Sequence, residues 1–270
     1  MVSLRNLLSF GSRQSPRRHV MLSPSDVERF HRDGYLVVPG LYTPCETAQM
    51  AAWIDALAAK PPARGAEMVY LEDSLTEPGR RILSRIEKFA DEGTPFGAAV
   101  RARTLLDCVE ALLGEPAVLF KEKINFKLPG GGGFEPHQDI QPGWDDYAPY
   151  FVSAAVAIDP STPENGCLEV APGHHRRGLI GERWKPLTAA ELEGVRFDAH
   201  PMAPGDVMFF DCFVPHRSQP NRTAHQRRNV YLTYNRASDG EHRARYFADK
   251  RRSFPPDHER EPGKTYVYRV

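Results

Sequence analysis

The feature that most constrains this chain is a change of hydrophobic period near Val118. Before it, apolar residues recur at the 3.6-residue spacing of helices; beyond it, short stretches rich in β-branched and aromatic residues alternate with a period of two. Segments 118–127, 151–158, 167–170, 207–210 and 229–235 read as strands, and turn clusters such as Pro129-Gly130-Gly131-Gly132-Gly133, Pro172-Gly173 and Pro204-Gly205 lie among them. Strands bounded in this way predict a mainly β sandwich or barrel rather than a βαβ array, with the helices of the N-terminal part packed outside it.

Those helices carry readable ends. Ser23-Pro24-Ser25-Asp26 has the form of a capping box with proline at the first helical position, opening a helix that runs towards Arg32. Asp33-Gly34 ends it, and Tyr35 to Val38 reads as a strand. The same pattern at Thr43-Pro44-Cys45-Glu46 opens a second helix reaching about Lys60, and Val100 to Leu113 predicts a third, closed by Gly114. Between 61 and 95 the pattern is loose, with a helix expected over Arg81 to Phe89. Residues 1–20 hold Arg5, Arg13, Arg17 and Arg18 but no acid, a composition shared with transit segments. The expectation there is a disordered tail or a start upstream of the true one at Met21, with 21–270 as a single domain. The charged stretch Arg236 to Val270 is expected to be a solvated face, with a lid or an oligomer contact as alternatives.

Composition narrows the function. Of the 270 residues, 35 are Lys or Arg and 35 are Asp or Glu, so no global field favours a polyanion. The apolar runs fall far short of a membrane span. Four scattered cysteines without a CxxC pair read as reduced thiols of a cytoplasmic protein. A small-molecule partner is expected, with neither nucleic acid nor membrane.

The stretch Phe134-Glu135-Pro136-His137-Gln138-Asp139 carries the chemistry. In an extended segment residues two apart share a face, so His137 and Asp139 can offer an imidazole and a carboxylate to one point. A distant histidine is needed as third ligand, and His216 follows the strand Val207 to Phe210. Two histidines and one carboxylate leave three coordination positions open, the arrangement of non-haem Fe(II) oxygenases, although zinc accepts the same donors. Arg227 stands eleven residues after His216 and Ser218 two after it; a guanidinium fork with a nearby hydroxyl suits the far carboxylate of a dicarboxylate cosubstrate.

This ordered set resembles the phytanoyl-CoA dioxygenase family of Fe(II)/2-oxoglutarate oxygenases. Phe120 to Gly130 before the ligands, Glu164-Asn165-Gly166-Cys167-Leu168-Glu169-Val170-Ala171-Pro172-Gly173 between them, and the opening Phe30-His31-Arg32-Asp33-Gly34-Tyr35 agree with it. The resemblance implies a double-stranded β-helix, a jelly roll of the cupin kind, with iron on His137, Asp139 and His216. It further implies 2-oxoglutarate gripped by Arg227 and Ser218, Asn125 as an amide near the cosubstrate, and Ser153 as a further cosubstrate residue. Where relatives have Pro-Gly-Ser-His, this chain has Pro172-Gly173-His174-His175, and His174 takes the structural place, with a role at the cavity mouth left open. Related halogenases lack the carboxylate, so Asp139 implies hydroxylation, with O2 and 2-oxoglutarate converted to succinate and CO2.

For the substrate, Lys121, Lys123 and Lys127 alternate along one strand with Asn125 on the same face. They read either as a solvated face or as partners of an anionic substrate. Trp144, Asp145, Asp146 and Tyr147 follow the ligands in a segment that reads as a packed loop or as a cation–π cap for a positive headgroup. Together they suit a small zwitterion, and family relatives include hydroxylases of ectoine and 2-aminoethylphosphonate. The alternatives are an acyl-CoA or apolar substrate using Phe120, Phe134, Phe151 and Phe213 as a channel, and a cupin-like binding protein without catalysis.

Overall fold

In the computed structural model, residues 21–266 are described, so the expectation for residues 1–20 lies outside them. Helix α1 spans Pro24–Asp33 and α2 spans Pro44–Ala58. Both open on complete capping boxes, Ser23 with Asp26 and Thr43 with Glu46, as the sequence pattern requires. Strand β1 (Tyr35–Val38) lies between them. The third helix expected from Val100 begins only at Arg103, as α4 (Arg103–Leu113), because Ala102 takes an extended conformation at its N-cap; a short helix α3 (Pro95–Ala99) precedes it.

Strands β2 (Met68–Asp73) and β3 (Arg81–Glu87) form a hairpin, which corrects the helix expected over Arg81 to Phe89. Ile82 and Ile86 are four residues apart, a spacing that fits one helical turn and two strand repeats equally. Pairing with β4 (Ala117–Lys127) settles it, through Arg85 opposite Asn125 and Glu87 opposite Lys123. The remaining strands are β5 (Phe134–His137), β6 (Val152–Ala157), β7 (Leu168–Val170), β8 (Asp198–His200), β9 (Val207–Asp211), β10 (His216–Ser218) and β11 (Arg227–Arg236).

They form two antiparallel sheets, one in the order β1-β9-β6-β11-β4-β3-β2 and one in the order β5-β10-β7-β8. The fold is a mainly β jelly roll with helices outside it. Alternation along the larger sheet sorts its residues by face. Ile124, Phe126, Val230, Leu232, Val156 and Phe209 pack outward against Phe30, Ile54, Leu105 and Val109 of the helices. Part of the inner face packs against the smaller sheet through Ala155, Phe210, Tyr231, Leu168 and Val170. Each buried aliphatic side chain contributes roughly 1.5–3 kcal/mol, so this two-layer burial gives the inner face a rigid backing.

The C-terminal stretch is solvated on only part of its surface, with exposed Arg245 and Arg252 on one side and buried anchors on the other. Helix α5 (Arg243–Ser253) buries Tyr246 and Phe247 against Phe120, Trp144 and Phe151. Its cations also have specific inward partners. Arg243 donates to both oxygens of the fully buried Glu122 (2.8 and 2.5 Å), and Lys250 donates to the fully buried Glu87 (2.7 Å). Among the described residues no helix is long and apolar enough to cross a membrane. All four cysteines are free, and three of them are buried.

Candidate active site

The larger sheet's inner face is polar where β3, β4, β6 and β11 run side by side. Its rungs are Lys127 opposite Arg227, Asn125 opposite Asn229, Lys123 opposite Tyr231, and Lys121 opposite Thr233, which in turn faces Ser153. The lysines therefore do not form a solvated face: Lys121 and Lys127 are buried, and Lys123 lines a cavity.

The smaller sheet supplies the metal-ligand candidates. His137 ends β5, and the register of β5 and β10 sets His216 directly opposite it. Asp139 follows two residues beyond the end of β5, in the turn that leaves the strand. Ligand atoms of His137, Asp139 and His216 all lie within 4.8 Å of one another, with His216 Nε2 3.8 Å from an Asp139 oxygen. Each imidazole is turned by its own neighbourhood, since His137 Nδ1 is 2.7 Å from the Glu135 carbonyl and His216 Nδ1 is 3.1 Å from that of Val214. A carbonyl only accepts, so both Nδ1 atoms carry the proton and both Nε2 lone pairs are left for a shared ion.

Charge states agree with that role. Burial pushes both imidazoles below their ordinary range, and His216 pushes His137 further, so both are neutral ligands near pH 7. Burial works against ionisation of Asp139, but His216, Lys123 and Lys121 outweigh it and hold the carboxylate ionised. Ser153 donates to Asp139 Oδ2 (3.0 Å) and lies 2.9 Å from the Thr233 hydroxyl. The structure thus places Ser153 behind the carboxylate, where it fixes the orientation of Asp139, and not beside Arg227.

A second cluster lies further along the same sheet. Arg227 is almost wholly buried, and its Nη2 donates to the Gly166 carbonyl (2.5 Å). Its Nε and Nη1 form no hydrogen bond of ordinary geometry, although the Tyr231 phenol lies beside the guanidinium. Asn125 Oδ1 and both side-chain polar atoms of Asn229 are likewise buried without partners. Native folds rarely leave such groups unpaired, so this cluster fits a polar ligand that completes it. Lys127 Nζ donates to Ser218 Oγ (2.8 Å) and to the Gln219 carbonyl. Burial, and then Arg227, push the Lys127 ammonium down to about 7. Gly166 makes the close approach possible, for at φ +76° any Cβ would run into the Gln219 carbonyl and lie 2.8 Å from Lys127 Nζ.

A cavity of about 900 Å³ opens beside His137, lined by Lys123, Arg85, Tyr70, Glu72 and Glu135 among others. Lys121 stands deeper, its Nζ over the rings of Trp144 (4.5 Å) and Tyr246 (5.3 Å). Neither Lys121 nor Lys123 forms an ion pair with a described residue; the acid between the strands, Glu87, is taken by Arg85 and Lys250. Sequence reasoning missed Arg85, Glu87, Glu72 and Tyr70, which lie in the hairpin read as loose or helical. The period-two spacing of Arg85 and Glu87 was the available signal.

Other expectations move. Trp144 is not an exposed cap but a core residue packed on Phe120 and Phe151. Tyr147 donates to Asp249 (2.8 Å), and Asp145 and Asp146 both pair with Arg183 (2.9 Å). Of the four phenylalanines expected in an apolar channel, Phe134 alone lines the cavity, while Phe120 and Phe151 are fully buried. The structural histidine is His175, whose ring covers Gly34 and whose Nε2 is 3.1 Å from the His31 carbonyl; His174 lies beside Arg177.

A jelly roll that turns two imidazoles and a carboxylate to one point, with an incompletely bonded buried arginine on the facing sheet, defines the class of metal-dependent oxygenases. The chain belongs to the phytanoyl-CoA dioxygenase family: the model described as Phytanoyl-CoA dioxygenase (PhyH) matches residues 30–229. A methylphosphonate hydroxylase from Gimesia maris is 37% identical over 234 residues, covering 86% of this chain and 88% of that protein. A 2-aminoethylphosphonate dioxygenase from an uncultured bacterium is also 37% identical, over 237 residues covering 87% and 89%. Among solved structures, EctD from S. alaskensis with 2-oxoglutarate and 5-hydroxyectoine matches with a TM-score of 0.70 at 25% identity, over 96% of this chain and 90% of that one.

Proposed function

We propose that the chain is an Fe(II)- and 2-oxoglutarate-dependent hydroxylase of a small phosphonate, one like 2-aminoethylphosphonate. In this reading His137, Asp139 and His216 hold the iron, and Arg227 with Lys127, Ser218 and Asn125 receives 2-oxoglutarate. When bound, iron and 2-oxoglutarate with O2 supply the oxidising chemistry that hydroxylates a C–H bond and releases succinate and CO2. The protein's own part is to bind and orient. The Arg227 fork takes the distal carboxylate in a bidentate grip, and the Ser153 hydroxyl keeps the Asp139 carboxylate turned towards the two imidazoles.

The observation that carries the substrate assignment is the pair of ammonium groups on Lys121 and Lys123, which stand at the metal-ligand cluster without an ion pair. Burial pushes Lys121 well below its ordinary range despite Glu87 and Asp139 nearby, and a doubly charged phosphonate between the two lysines would favour the protonated form of both at once. Glu72 and Glu135 in the cavity wall offer carboxylates to an ammonium group at the other end of such a substrate. Phosphonate relatives at 37% identity support the same chemistry.

The test is succinate formation by anaerobically prepared protein given Fe(II), ascorbate, 2-oxoglutarate and O2, with a panel of aminophosphonates, methylphosphonate, quaternary amines and acyl-CoAs. Stimulation by a phosphonate, with a hydroxylated product seen by phosphorus NMR, is expected. Stimulation by acyl-CoAs alone would refute the substrate class, and no succinate despite bound iron would refute the enzyme.

A further inference from the structure

The cavity beside His137 is roofed by the segment from Gly178 to Leu187, which contains no helix or strand. Trp184 stands at its centre, lining the cavity while 42% exposed, and its backbone is left-handed at φ +68°. A tryptophan keeps that conformation only when its surroundings impose it, and such positions cluster at ligand clamps and switches. Gln141 imposes it here. This fully buried side chain donates through Nε2 to the carbonyls of Glu182 (3.0 Å) and Lys185 (2.7 Å), one on each side of Trp184. The Gln141 carbonyl accepts from the Trp184 N–H (2.9 Å).

The other end of the same amide reaches the metal-ligand segment. Gln141 Oε1 accepts from the backbone N–H of Gln138 (2.8 Å), which lies between His137 and Asp139. Gly143 completes the arrangement, since a Cβ there would come within 2.7 Å of the indole ring. The indole is therefore seated against bare backbone. One amide thus ties the roof of the cavity to the floor that carries two of the three ligand candidates.

We propose that Trp184 closes the cavity over the substrate and that Gln141 is the positioning residue that holds it there. The kinetic part of this inference rests on the proposed phosphonate hydroxylase; the link between Gln141 and Trp184 does not.

Two measurements test it separately. Acrylamide quenching of tryptophan emission in a Trp53→Phe background reads the exposure of Trp184, as Trp144 is buried and Trp53, which is half-buried, has been removed. Gln141→Ala is expected to raise the quenching constant at least twofold, and the rise should vanish in Gln141→Ala/Trp184→Phe. An unchanged constant in folded Gln141→Ala protein overturns the link. In turnover with 2-aminoethylphosphonate and methylphosphonate, Trp184→Ala and Gln141→Ala should each raise the substrate KM at least fivefold. The KM for 2-oxoglutarate should stay within twofold, and succinate should exceed hydroxylated product. Variants that keep the wild-type substrate KM and a one-to-one ratio overturn closure by Trp184. Absence of wild-type turnover with any phosphonate refutes the substrate reading instead, and the quenching result still decides the link.

Discussion

Lys127 offers the sharpest quantitative expectation, because burial beside Arg227 pushes its ammonium down to about 7 from an ordinary 10.5. A carboxylate bound between the two cations favours the protonated form, so the pKa of Lys127 in the complex lies above that of the free protein. The sign follows. Affinity for 2-oxoglutarate is fully present below pH 7 and is lost as the pH rises through that value, until the pKa of the complex is reached. Each pH unit in this window weakens binding about tenfold, or about 1.36 kcal/mol, and full recovery of the ordinary pKa would set a ceiling of about 5 kcal/mol. Calorimetric titration of 2-oxoglutarate into anaerobic Fe(II) protein should therefore show Kd rising up to about 100-fold between pH 7 and pH 9. Near pH 8, two buffers of different ionisation enthalpy should report uptake of close to one proton. Lys127→Met should abolish both effects. A wild-type Kd that is flat over this range, or an equal slope in Lys127→Met, would refute the placement of Lys127 at the cosubstrate.

Three further substitutions probe the remaining groups. Arg227→Ala removes the guanidinium proposed to hold the distal carboxylate; at about 1.5–3 kcal/mol for each charged hydrogen bond, the KM for 2-oxoglutarate should rise 100-fold or more. Arg228 is no substitute, being held by Asp159 and Asp55, so an unchanged KM would remove the carboxylate from this end of the sheet. Lys121→Met and Lys123→Met should each raise the KM for a phosphonate about tenfold or more while leaving that for 2-oxoglutarate alone; equal effects on both substrates would contradict the separation of the two sites. Glu122→Ala leaves Arg243 with Asp91 as its remaining carboxylate and the N–H groups of Phe89 and Ala90 without their acceptor. It should cost about 3–5 kcal/mol in urea unfolding, and a loss below about 1 kcal/mol would mean that α5 is not anchored there.

What could be read in advance depended on how far apart the interacting residues stand. Helix caps at Ser23 and Thr43 are local, and the structure has them as written in the sequence. The closeness of His137 and Asp139 was legible because they stand two apart in sequence, although the strand ends at His137 and a turn, not strand periodicity, carries Asp139 to the site; the common face of Lys121, Lys123, Asn125 and Lys127 was legible from the period of two along one strand. Which lysine meets which ligand was not, because that follows from the register with β11, where Lys127 falls opposite Arg227. The C-terminal charge run failed as a surface reading because Glu87 and Glu122, its partners, lie more than a hundred residues upstream. The β3 segment failed for a different reason: a four-residue repeat of isoleucine satisfies two periods, and only the neighbouring strand selects one.

The polar rungs of β4 turn one strand into a ruler. At about 3.3–3.4 Å per residue, Lys121 and Lys127 are separated by roughly 20 Å of backbone, and the metal-ligand cluster faces the interval between them. In the function proposed above, cosubstrate chemistry is written at one end of the scale and substrate chemistry at the other. New specificities can thus arise by replacing the marks at 121 and 123 while 125 and 127 stay untouched. A one-residue slip in the pairing of β4 would erase the whole scale, since every mark would turn to the opposite face. Divergence within this architecture is therefore expected to accumulate at individual rungs, with the length and register of the strand held constant.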